Sequence, residues 1–323
     1  MGFYFIIFFI AVISTTIFII LAKKISFKYN LYDDSAKDPL KIHKKPTSFL
    51  GGAAILSSFL LCLILLWLFK KTVNLNFDNF KIAAVFVCSI IAWFYGFWDD
   101  TYWVDRKKIT QGAKIFLQIP IVLTLSLIFY VVGIKYQFFN FPVLGILLAT
   151  FCFLFIENAV NIQDGLDGLA SGVVLISSSA FFILFFLTGN YFGAALSVII
   201  IGALVAFLIF NWHPATIFLG NNGSYFLGFL MVVFAILAAK PNDLFYSFLP
   251  YLFLGMPIFN VFYVFTKRAK SGKSFFSADR NHFHDDLQNV FKFAPKSVLI
   301  IYSAQLIFAL AGLAFLTNLF GVL

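Results

Sequence analysis

The feature that most restricts this chain is an uncharged apolar run that recurs along its whole length. No side chain from Phe3 to Leu21 carries a charge, and similar runs cover Gly51–Phe69, Ile82–Trp98, Ile115–Val132, Pro142–Ile156, Val173–Leu187, Tyr191–Phe210, Ser224–Ala239, Leu244–Phe265 and Ser297–Leu316. Apolar runs of about 18 or more residues match the thickness of a bilayer's hydrocarbon core when helical. A helix also satisfies its own backbone hydrogen bonds where no water can. The runs do not alternate polar with apolar residues, as barrel strands would. The expected fold is all-α: a polytopic integral membrane protein of about ten transmembrane helices, forming a single domain over residues 1–323. Composition agrees, because 62% hydrophobic and 11% charged residues leave too little polar surface to cover a water-soluble core. The first run has no basic residue before it and reads as a retained span, not a cleaved signal. Pro120 and Pro257 fall inside spans, where a missing N–H bends helices. Cys62, Cys88 and Cys152 lie in apolar runs without a CxxC spacing, and are read as small core residues.

Charge then divides the connections into two sets. Eighteen of the 23 Lys and Arg residues fall after spans one, three and nine, and five (Lys70, Lys71, Lys81, Lys135 and Lys240) fall on the opposite side. The positive-inside rule makes the odd-numbered connections cytoplasmic and puts both termini outside. Of the 14 acidic residues, only Asp78 and Asp243 fall outside, and all four histidines fall inside. The rule for basic residues does not predict that segregation of acids. A carboxylate is costly at the bilayer centre, so acids at or near span ends need a reason, and their gathering on one side points to a site. The net charge of +9 suits anionic lipid headgroups; no aromatic-basic module suggests nucleic acid.

Five polar clusters occupy that side. Asp99 and Asp100 end the third span, where the helix dipole disfavours acids, so a divalent cation on a phosphorylated substrate or the nearby Arg106–Lys108 run would balance them. From Asn158 to Leu169, residues Asn158, Asn161, Asp164 and Asp167 recur every third position, which would align them on one helical face. A capped turn is the plainer reading, but a turn does not need a periodic set. Gly220-Asn221-Asn222-Gly223-Ser224 opens a span, either as an anion site at a helix N-terminus or as an ordinary cap. Arg280, His282 and His284 suit phosphate contact; no further Cys or His gives them zinc-ligand spacing. Lys44-Lys45-Pro46-Thr47 with Gly51-Gly52 either accepts a phosphate or marks a positively charged membrane boundary.

Together and in this order, the clusters resemble the polyprenyl-phosphate N-acetylhexosamine-1-phosphate transferase family, which includes the MurNAc-pentapeptide translocase. His43-Lys44-Lys45-Pro46 with Gly51-Gly52 is similar to its H-x-x-P…GG entry. Asp99-Asp100 is similar to its paired aspartates, Lys114 with Gln118 to its K-x-x-x-Q, and Asn158 to Leu169 to its N-x-x-N-x-x-D-G-x-D-G-L signature. Two positions depart. Asn221 stands where the family's G-D-x-G-S has its acid, and Asp285 ends what is otherwise H-x-H-H. The paired departures suggest that Asp285 supplies the carboxylate absent at Asn221. The resemblance implies transfer of a sugar-1-phosphate from a UDP-N-acetylhexosamine to undecaprenyl phosphate, with release of UMP, at the cytoplasmic face of a bacterial inner membrane. It implies Mg²⁺, with Mn²⁺ as substitute, on Asp99, Asp100 and Asn221. It makes Asp99 the base, with Asp100, Asp164 and Asp167 as the other catalytic residues. Lys45, Lys114, Asn158, Asn161, Arg280, His282 and His284 would bind substrate, and a homodimer is compatible with it. Two other classes compete: a catalytically impaired relative acting as a scaffold, which Asn221 favours, and a secondary transporter, which one-sided acids and the absence of repeats disfavour.

Overall fold

The computed structural model describes residues 2–33, 46–70, 77–103, 110–135, 141–240, 243, 247–272, 274 and 282–319. Lys45 and Arg280 lie outside them. Ten of the described helical segments are long and apolar enough to cross a membrane, which agrees with the expected all-α, polytopic architecture.

The helices are α1 (Gly2–Tyr29), α2 (Gly51–Phe69), α3 (Asn79–Trp98), α4 (Gln111–Val131), α5 (Pro142–Gln163), α6 (Leu169–Leu187), α7 (Tyr191–Asn211), α8 (Gly220–Ala238), α9 (Gly255–Lys270), α10 (Phe283–Phe291) and α11 (Ala294–Leu319). A 3-10 turn, Leu249–Leu254, runs into α9, and the ninth span continues to Lys270, past the Phe265 end that its hydropathy suggests. The α10 helix is too short and polar to cross a membrane, and lies in the ninth connection. Two short strands, β1 (Tyr32–Asp33) and β2 (Thr47–Ser48), pair antiparallel. Ser48 also bridges to Ile217, and its carbonyl accepts from Phe218 N at 2.8 Å. The entry to α2 is thereby tied to the connection between α7 and α8.

Burial identifies α8 as the central helix: 89% of its apolar window is inside the protein. In lipid there is little hydrophobic force between helices, so small residues that let backbones approach decide the packing. Three glycine contacts bring α2, α3 and α5 onto α8. A Cβ on Gly52 would lie 2.2 Å from Gly223 Cα, one on Gly96 would lie 2.3 Å from the Asn221 carbonyl, and one on Gly228 would lie 2.6 Å from Glu157 Cα. Polar side chains hold the periphery. Ser14 and Ser58 hydrogen-bond between α1 and α2 at 2.7 Å. Pro257 has no N–H to give the Phe253 carbonyl four residues earlier. Gln305 of α11 makes up for it, donating to that carbonyl at 2.7 Å while accepting from Met256 N at 3.0 Å.

Candidate functional site

The connections that carried the polar clusters meet at one end of the bundle. The third span reaches it through a π-helical turn, Asp99–Trp103, directly after α3. That wider turn delivers both aspartates to the N-terminus of α8. Asp100 accepts from Asn221 N at 3.0 Å, Asn222 N at 2.9 Å and Asn222 Nδ2 at 2.7 Å. The anion at this helix N-terminus is thus a side chain of the protein itself, and Asp100 caps α8 from another helix. Asn222 is fixed in turn, donating to the Phe49 carbonyl at 2.8 Å and accepting from Trp93 Nε1 at 3.2 Å.

Asp99 is 3% exposed. One of its oxygens forms an ion pair with Lys114, and the other accepts from Asn221 Nδ2 at 3.0 Å. The Asn221 oxygen accepts from Asn161 Nδ2 at 2.7 Å, and Asn161 also donates to Ser224 Oγ at 2.8 Å. The oxygens of Asp99, Asp100 and Asn221, the set expected to hold a metal, therefore all face protein donors. Nor is the Gly51-Gly52 pair a phosphate cradle: its N–H groups donate to the Phe218 and Leu219 carbonyls at 3.0 and 2.9 Å.

The Asn158–Asp167 stretch departs from a single helical face. The α5 helix ends at Gln163, and a turn closed by Gly168 at φ +77° leads into α6. Asn158 and Asn161 sit on the last turns of the helix, with Asp164 and Asp167 beyond it. Asp167 accepts from Ala215 N at 3.1 Å and pairs with His213 Nδ1 at 2.8 Å, so it anchors the connection into α8. The Asp164 carboxylate accepts no hydrogen bond from any described residue. Burial, then the charges of Asp100 and Asp167, push its pKa up to about 7. His284, 2% exposed, lies against the same turn: a Cβ on Gly165 would be 1.9 Å from its Nε2.

His282 and His284 stack with ring centroids 5.0 Å apart. Asp285 accepts from His282 N at 3.2 Å and pairs with its Nδ1 at 3.0 Å, which caps α10. Burial would raise the Asp285 carboxyl; the His282 hydrogen bond and the charges of His284 and His282 outweigh it and hold it below the usual range. Asp285 therefore serves α10, and the partners of Asn221 lie elsewhere. Asp286 clamps α10 to α9 through Lys267 at 2.7 Å and Tyr263 at 2.5 Å.

Sequence reading passed over Glu157. It is 2% exposed and accepts from Gln118 Nε2 at 2.6 Å, while the Gln118 oxygen accepts from Asn158 Nδ2 at 2.7 Å. An acid inside an apolar run is itself a signal, and Glu157 was legible on that ground. His213, the partner of Asp167, had no such signal.

The glycosyl transferase family 4 profile matches residues 82–239, which hold the site residues from Asp99 to Ser224 but neither the Gly51-Gly52 pair nor the α9–α10 group around His282 and His284. The chain is 27% identical over 316 residues to a probable undecaprenyl-phosphate N-acetylglucosaminyl 1-phosphate transferase of Bacillus subtilis, covering 95% of this chain and 83% of that one. It is 32% identical over 241 residues to the phospho-N-acetylmuramoyl-pentapeptide-transferase of Bacillus licheniformis, with 71% and 72% covered. With the Clostridioides difficile protein of that name it shares 33% identity over 247 residues, again covering 71% and 72%.

Proposed function

The chain belongs to glycosyl transferase family 4, and we propose that it transfers an N-acetylhexosamine-1-phosphate from a UDP-sugar to undecaprenyl phosphate, releasing UMP. Support comes from the relatives' names and, above all, from one convergence: the Lys114–Asp99 pair, the uncommitted Asp164 carboxylate and the stacked His282–His284 pair occupy the same end of the bundle. Phosphoryl transfer asks a protein mainly to position charged oxygens and neutralise them.

In the proposed reaction an oxygen of the lipid phosphate attacks the β-phosphorus of the UDP-sugar. The bond from that phosphorus to the bridging oxygen breaks, and UMP leaves with the electron pair. A phosphomonoester has a second pKa of about 6, so the nucleophile is largely dianionic at neutral pH and needs orientation more than a base. Asp99, with both oxygens engaged, suits the holding of Lys114 and Asn221 better than proton transfer. Lys114, His282 and His284 contribute the positive and donor groups for phosphate oxygens, joined by Lys45 and Arg280 from the flanking segments. Asn158 and Asn161 keep the framework behind them in register. A divalent cation, Mg²⁺ or Mn²⁺, fits Asp164, a carboxylate without a donor among the described residues and beside two other acids, and when bound would offset charge on the pyrophosphate. The basic odd-numbered connections support a cytoplasmic active face in a bacterial inner membrane.

The test is UMP release by purified protein given undecaprenyl phosphate and a panel of UDP-N-acetylhexosamines. Release that requires both substrates and yields a lipid-linked sugar supports the reading. Absence of release with every donor would refute it and favour a scaffold role.

A further inference from the structure

The hydrogen-bond directions around Asn221 follow from chemistry. Asp99 is paired with the Lys114 ammonium, and an ionised carboxylate only accepts. The Asn221 atom facing it at 3.0 Å must therefore be the amide nitrogen. That leaves the Asn221 oxygen to Asn161, which donates to it at 2.7 Å. Asn161, Asn221, Asp99 and Lys114 thus form a chain of donor-to-acceptor contacts in which the one negative charge meets one positive charge. Asp100 stands beside it with both oxygens on the amides of α8 and Asn222.

A carboxylate at position 221 would set two acids about as close as that hydrogen bond, a pairing that requires a shared proton or cation. The amide removes the requirement. Mg²⁺ demands near-octahedral oxygen coordination and gives up its waters reluctantly. Asp164 is the carboxylate of this cluster left without a donor among the described residues, and one carboxylate makes a poor resident site.

We propose that the cluster of Asp99, Asp100, Asp164 and Asn221 does not hold a divalent cation by itself, and that the cation enters there with the nucleotide diphosphate, which supplies the oxygens that the Asn221 contacts withhold. The inference rests on the UDP-sugar reading above and adds an order of binding to it.

Equilibrium dialysis of Mn²⁺ against the purified full chain in detergent, with and without UDP, measures this directly. Saturating UDP should raise Mn²⁺ retention at least tenfold. Asn221→Asp should raise retention without UDP by a similar factor, because it restores a second carboxylate beside Asp99. Should that variant fail to fold, Asp164→Asn serves instead: it should abolish UDP-dependent Mn²⁺ retention and leave the low UDP-free level unchanged. Retention by the unaltered protein that is as strong without UDP as with it would overturn the proposal. So would UDP-dependent retention that survives Asp164→Asn. Failure of UMP release with the dialysis pattern intact would remove the transferase reading alone. UMP release together with strong UDP-free retention would remove this inference alone.

Discussion

Lys114 and Asp99 show how a single pair can set both stability and reactivity. With Asp99 at 3% exposure, removing its ammonium partner leaves a buried charge that, among the described residues, the Asn221 amide alone attends. Truncating one member of a buried ion pair typically costs about 3–5 kcal/mol. Lys114→Met should therefore lower the melting temperature in detergent by several degrees and reduce UMP release by about 100-fold, the two being read on the same preparation. Asp164 behaves in the opposite sense, because no described residue donates to its carboxylate. Its folded pKa is raised to about 7, while in the unfolded chain it titrates near the ordinary carboxylate value of about 3.9. Its protonated form is thus favoured in the fold, so its contribution to stability is full below the unfolded value and is lost as pH rises through about 7. The cation-free protein should melt at a lower temperature at pH 8 than at pH 6, and Asp164→Asn should flatten that slope. Turnover should run the other way, rising with pH through the same region as the carboxylate ionises.

Helices meet here through missing side chains more than through matching ones. The Gly52–Gly223 approach leaves no room for a methyl group, since the nearest atoms to a Cβ are backbone, 2.2 Å away, and backbone cannot swing aside. Gly52→Ala should separate α2 from α8, costing about 3 kcal/mol or more, and should show as loss of the monodisperse peak on size exclusion. Gly189, at φ +72° with open space around it, offers the control: Gly189→Ala should cost about 1 kcal/mol through backbone strain alone and leave turnover intact. This contrast also explains what sequence could and could not disclose about the elements. Hydropathy found each span, because the bilayer imposes length and polarity on every one of them separately. It stopped the fifth span at Ile156, short of the Gln163 end of α5, while the three-residue spacing from Asn158 to Asp167 suggested one helical face, because that spacing fits a turn as well as a helix. The turn is decided by Gly168 and by contacts with Asn211 and Tyr302, which come from distant segments. For the same reason Asp100 could be recognised as a site residue while its actual partners, the amides of α8, could not be read from its neighbours in the chain.

The arrangement of the whole bundle turns on which membrane face holds the chemistry. Positive charge in the odd-numbered connections supplied that expectation, and the same connections are the ones that meet through Asp100–Asn221, Asp167–His213 and Ser48–Ile217 contacts. Lys81 and Lys135 lie at the other end, beside Asp78 and Asn190 in a cavity of about 360 Å³. Length alone forces this separation, because α3 begins at Asn79 near the cavity and delivers Asp99 one full span later. The three native cysteines are buried, so they leave a low background for single-cysteine labelling with a membrane-impermeant maleimide. Two half-buried positions to which no substrate contact is assigned report on the two ends: Lys135→Cys and Asp286→Cys. In intact spheroplasts Lys135→Cys should label and Asp286→Cys should not, and permeabilisation should expose the second. Because Asp286 lies two residues from His284 on α10, its labelling from outside would move the phosphate-binding histidines to the outer face. Cytoplasmic UDP-sugars could not reach them there. Labelling of both positions in sealed cells would instead indicate leakage, which a cytosolic marker protein measures in the same experiment.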